Sequence, residues 1–129
     1  MLASTVARKT KIKGAAAGAT IDQIVWDPEQ CPAAMKNWCA CTWAPQYVGI
    51  DVSHPAAAAY YNSEIELYAD WELDLLKWDC LYDTADGCSA EEALVLDAVR
   101  ASRRPLVLSL SPGGGMKTAD AEWVARGQR

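Results

Sequence analysis

Two charged residues stand two apart at the end of an apolar run, Leu75-Leu76-Lys77-Trp78-Asp79. The run suits a buried parallel strand, and side chains at i and i+2 of a strand point to the same side. A carboxylate at such a strand end can act as a nucleophile or a metal ligand, and an ammonium beside it keeps it ionised and can hold a substrate hydroxyl. The plain alternatives are a loop cap for Asp79 and a structural salt bridge for Lys77. A second strand end is visible at Leu108-Ser109-Leu110-Ser111-Pro112-Gly113. His54 is the sole histidine. That excludes a His-rich metal centre, and any Ser-His or Cys-His arrangement that does not use it. The five cysteines, Cys31, Cys39, Cys41, Cys80 and Cys88, are not spaced as paired zinc knuckles. No metal and no cofactor is expected.

The elements that must position these residues follow from pattern. Residues 1–50 read as a loop-rich lead-in and 51–127 as β/α units. Thr10 to Gly14 suggests a short strand, and residues 22–50, with Pro28, Pro32 and Pro45, a long irregular loop. Ser53 is expected to cap a helix with His54 and Pro55 in its first turn. That helix runs to about Trp71, with Ala57, Tyr61, Ile65 and Tyr68 on its inner face and Asn62, Glu66 and Asp70 elsewhere. Leu73 to Trp78 is the first strand. Ser89 and Glu92 fit a capping box, opening a helix with Leu94, Val95, Ala98 and Val99 inward. It stops before Pro105, and Pro105 to Leu110 is the second strand. Thr118 is expected to start a last helix through Arg126. Asp83, Asp86 and Glu91 read as a solvated loop and helix cap. Alternating helices and strands imply parallel strands with right-handed crossovers, whose chemistry lies at their carboxyl ends.

The chain has 129 residues and is 51% hydrophobic, so its composition is not that of a disordered tail. A net charge of −5 argues against a nucleic-acid partner. The longest apolar run, Pro55 to Tyr61, is far too short to span a bilayer, and no apolar segment follows the basic start as a signal peptide requires. Six Trp, five Tyr and no Phe provide rings that can pack on sugars, although core packing is the commoner role for any one of them.

The segment around Asp79 resembles the alpha-galactosidase type of glycoside hydrolase (family 27, melibiase type). Tyr60-Tyr61-Asn62-Ser63, then Leu67-Tyr68-Ala69-Asp70-Trp71-Glu72-Leu73-Asp74-Leu75-Leu76-Lys77-Trp78-Asp79, is similar to that family's Tyr-Tyr-Asp, its Ala-Asp/Ser-Trp-Gly-Val-Asp and its Lys-x-Asp strand end. Gly49-Ile50-Asp51-Val52-Ser53-His54-Pro55 resembles its Gly-x-Asp-x-Ser/Thr-x-Pro lead into the same helix. Arg104 to Gly113 resembles the next strand of bacterial-type members. The match covers about residues 40–125. Two departures stand out: Glu72 replaces the family's Gly, and Cys80 directly follows Asp79, whereas some members place a disulfide-bonded cysteine two residues after that aspartate.

The resemblance implies an α/β fold, here a partial (β/α)8 TIM-barrel fragment with about two to three parallel strands, since a whole barrel takes roughly 250 residues. It implies a retaining glycosidase with Asp79 as nucleophile, Lys77, Ser109 and Ser111 as substrate-binding residues, and Trp43 in the matching upstream loop as a ring that could pack on a sugar; a Cys41–Cys80 bond stays open, because Cys80 lies one residue short of the family's position. The partner is then a carbohydrate such as an alpha-galactoside. The acid/base would come from a strand beyond residue 129 and the sugar-gripping acidic pair from one before residue 1, so the isolated chain is expected to be inactive, with unpaired sheet edges open to self-association. A non-catalytic barrel remnant is the alternative. A phosphate-binding module is a third: Ser111 to Thr118 lies between strand and helix, but Met116 and Ser111 stand where such a loop requires glycine.

Overall fold

The computed structural model describes residues 2–3, 11–27, 29, 40–41, 44–81 and 88–112. Their order is β1 (Leu2–Ala3), two 3₁₀ turns (Ala16–Gly18 and Ile21–Gln23), β2 (Ala40–Cys41), β3 (Ala44–Val48), α1 (Ala57–Asp70), β4 (Leu75–Leu81), α2 (Cys88–Ala101) and β5 (Val107–Pro112). β4 and β5 pair in parallel, and a separate antiparallel sheet has the order β1-β3-β2. The chain is α/β. Its two parallel strands and two helices are consistent with a piece of a β/α barrel.

The lead-in is more regular than its sequence suggests. The segment from Ala44 pairs on both sides despite Pro45, and its register with β2 shifts between Ala40 and Cys41. Thr10 to Gly14 supplies no strand among the described residues: Lys11 makes an isolated bridge to Thr20, and Gly14 turns the chain at φ 79°. Ser53 does not cap α1. Its backbone N–H and hydroxyl both donate to Asp51 Oδ1, at 3.0 and 2.6 Å, and the Ala56 N–H donates to His54 Nδ1 at 3.1 Å. The side chains turn residues 51–56 locally, and the helix begins at Ala57. Likewise α2 begins at Cys88, which places Ser89 inside its first turn rather than at the cap. The expected helix from Thr118 lies outside the described residues.

α1 ends as the resemblance requires but with a different residue. Leu73 N–H donates to the Tyr68 carbonyl and Glu72 N–H to that of Ala69, both at 3.1 Å. This is the Schellman arrangement, whose C′ residue adopts left-handed backbone. That residue is Glu72, at φ 59°.

The core lies between the helices and one face of the strand pair. Ile12, Ile24, Ile50, Ala57, Tyr60, Tyr61, Ile65, Val95 and Ala98 are buried, and Leu76, Trp78, Leu106 and Leu108 pack against them. Ile24 is 0% exposed. Tyr60 and Ala69 line the inner face of α1 beside Ala57, Tyr61 and Ile65, while Tyr68 is only half-buried. Tyr60 and Tyr61 meet edge to face at 5.2 Å. Glu91, read above as a solvated cap, is half-buried and accepts the Tyr61 hydroxyl. This bond joins α1 to the first turn of α2. At the other end of the helices, Arg103 pairs with Asp70 and Arg104 with Asp74.

Candidate active site

β4 alternates, as a strand covered on one face by helices must. Leu76 and Trp78 face the helices, together with Leu106 and Leu108 next to and within β5. The intervening residues point the other way, where Leu75 and Val107 are 60% and 62% exposed. The parallel register sets Leu75 opposite Val107, Lys77 opposite Ser109 and Asp79 opposite Ser111. The helix-free side is therefore graded. Large apolar side chains occupy the amino end of the pair, and a cation and a carboxylate follow towards the carboxyl end. In β/α architectures the helix-free face turns inward, and its carboxyl end carries the chemistry.

Lys77 Nζ lies 3.5 Å from Asp79 Oδ2. The two side chains share a face, as their spacing predicts, and both are solvent-accessible. An ion pair this exposed is worth about 0–1 kcal/mol, so it is easily exchanged for contacts to a ligand.

The ladder changes at this point. The register shifts between Asp79 and Leu81, with Cys80 in the shift. Irregularities of this kind bend a strand and re-aim its side chains, and they concentrate near active sites. Cys80 and Cys41 are placed by their backbones in β4 and β2. Ser111 is likewise placed by its register opposite Asp79, and Trp43 lies outside the described residues. Of the expected site residues, the structure thus brings together Lys77 and Asp79 directly, with Ser109 and Ser111 alongside in register.

A second group escaped sequence reasoning because tyrosines at helical spacing look like ordinary core. Tyr60, Tyr61, Glu64, Tyr68 and Glu91 gather around the α1–α2 contact. Burial, reinforced by the neighbouring carboxylates Glu64 and Glu91, raises the Tyr60 and Tyr61 hydroxyls well above their usual range. Burial also raises the Glu64 carboxyl, partly opposed by Tyr60. The Tyr60 hydroxyl has no hydrogen bond of good geometry among the described residues, although it sits in the field of Glu64. A surface cleft of about 350 Å³, lined by Lys13, Glu66, Asp70, Ala101 and Arg103, lies at the end of the helices remote from Asp79. Its charges already pair, Lys13 with Glu66 at 2.8 Å and Arg103 with Asp70. No group of three or more potential metal ligands occurs among the described residues.

No protein-family model matches the chain, and no curated relative matches it. Among solved structures it is similar to a Bacillus halodurans C-125 protein described as a "putative alpha-N-acetylgalactosaminidase". The two are 30% identical, with a TM-score of 0.63 and a match over 87% of this chain. The chain spans 25% of that protein's length. The likeness supports a galactosidase-like glycosidase fold for these residues.

Proposed function

We propose that these residues belong to the catalytic barrel of a retaining glycosidase of the alpha-galactosidase type. The observation that carries this reading is the register of β4 and β5. It sets Lys77 beside Ser109 and Asp79 beside Ser111 in the ladder, towards the carboxyl end where such folds work. In the mechanism, a carboxylate oxygen of Asp79 attacks the anomeric carbon. The bond from that carbon to the leaving oxygen breaks, and a carboxylic acid elsewhere in the barrel protonates the departing oxygen. Water then releases the sugar from Asp79, with the same acid now acting as base. The two carboxyls must stand about 5 Å apart.

Lys77 donates to a sugar hydroxyl, and the seryl positions of β5 complete that side of the site. On this reading the proton donor lies outside residues 1–129, so these residues alone bind sugar without completing a turnover. The substrate is an alpha-linked galactoside or a 2-acetamido relative. The test is Asp79→Asn in a protein carrying the complete barrel, assayed with an aryl alpha-galactoside. Turnover should be abolished, and a 2-deoxy-2-fluoro galactoside should label wild type but not the variant. Normal turnover in Asp79→Asn would overturn the assignment.

A further inference from the structure

Outside the site, one side-chain hydrogen bond links the two helices: the hydroxyl of the buried Tyr61 donates to the half-buried Glu91. Both partners sit at the same end of the molecule as Asp79. α1 starts at the carboxyl end of the strands and Tyr61 lies within its first two turns, while Glu91 lies in the first turn of α2. Only residues 82–87 separate the end of β4 from the start of α2. The β4–β5 register shifts between Asp79 and Leu81 before Leu81 pairs with Pro112, so the ladder is interrupted next to Asp79. Whatever fixes the start of α2 therefore helps to fix that tip.

The chemistry of the pair suits this task better than it suits bulk stability. Tyr61 is 3% exposed, and a well-packed apolar pair in its place would stabilise the helices as well or better. A phenol–carboxylate bond instead has a preferred length and direction. Val95 and Ala98, the apolar contacts of α2 in the core, carry no directional bond, so they fix the axial position of the helix through shape alone. The hydrogen bond selects one axial position, as buried polar contacts do in helix pairs.

The geometry points to Tyr61 and Glu91 as positioning residues that set the height of α2 against α1 and thereby hold the Lys77–Asp79 end of β4 in place. The functional meaning of that end rests on the glycosidase reading, whereas the mechanical link does not.

The experiment compares the 129-residue chain with Tyr61→Phe and with the double variant Tyr61→Phe/Glu91→Leu, which restores an apolar contact. Melting temperature and backbone amide exchange at 75–81 are read for each. The expected result is that the double variant recovers the wild-type melting temperature. Its amides at 79–81 should still exchange about tenfold faster than wild type, while those at 75–77 keep their protection, because the local opening is no longer coupled to global stability. If protection at 79–81 returns together with the melting temperature, the pair acts only through stability and the proposal falls. Unchanged exchange in both variants overturns it equally. A failure of Asp79 labelling in the complete barrel would instead refute the glycosidase reading and leave this result standing.

Discussion

Replacing Glu72 with glycine should stabilise the protein, and the amount can be worked from the turn. Glu72 holds φ 59° at the end of α1. A left-handed backbone costs a residue bearing a Cβ roughly 1–2 kcal/mol. Glycine adopts it without strain, but its freer unfolded chain takes back about 0.5–1 kcal/mol. The Glu72 side chain is exposed, so its removal forfeits no core packing, and the two 3.1 Å bonds closing the turn use backbone atoms that remain. The two ranges leave a net gain of about 0–1.5 kcal/mol, centred on ~0.8 kcal/mol, which at the centre is an increase of about 2–4 °C in the melting midpoint for a domain of this size. Thermal unfolding followed by circular dichroism reads this directly, with Glu72→Ala as control. Alanine keeps the Cβ and its strain, so its midpoint should stay within about 0.5 kcal/mol of wild type. A glycine variant that melts at or below wild type, or an alanine variant that matches the gain, would refute the argument.

Other outcomes follow from the core and the charged cluster. Ile24→Ala removes a side chain with no exposed surface and should cost about 2–5 kcal/mol in denaturant unfolding; a loss under about 1 kcal/mol would mean that the site collapses to fill the space. The Glu64 carboxyl is raised above 4.5 by burial, so folding favours its protonated form. The stability it contributes is fully present below pH 4.5 and is lost as pH rises through the raised value. Glu64→Gln should flatten that part of the stability–pH curve, and an unchanged slope would assign it to other groups. Leu75→Gln with Val107→Thr should reduce concentration-dependent association of the 129-residue chain in sedimentation, because these are large exposed apolar side chains of the helix-free face; undiminished association would place the contact elsewhere.

The strand pair and both helices are legible in the sequence because burial writes its period into them. Leu76 and Trp78 alternate with Lys77 and Asp79, and Val95 and Ala98 lie three apart. The starts of the helices are not legible in the same way. Ser53 has the right type for a cap, but Asp51 lies two residues away and captures it first, a competition between neighbours that residue type alone does not decide. Ala44–Val48 falls in a stretch whose prolines and cysteines suggest a loop, and its strand form depends on β1 and β2 flanking it from distant parts of the chain. The Lys77–Asp79 pair was visible through its spacing. The Tyr61–Glu91 bond was not, since it joins residues thirty apart whose meeting depends on how two helices pack.

The alternation of β4 has a consequence for how the chain finds its fold. Suppose β4 paired with β5 one residue out of step. Lys77 and Asp79 would then turn towards α1 and α2, and Leu76 and Trp78 would face water. The error would drive an ammonium and a carboxylate into an apolar interior with no prepared partners, at a penalty of several kcal/mol per charge. Parallel pairs form late, across long intervening segments, and have ample opportunity to slip. The two residues that would serve the chemistry thus also act as a lock on assembly, rejecting the out-of-step form before any substrate is present. Replacing both with apolar residues would remove that rejection, and the damage would appear as slow, heterogeneous refolding.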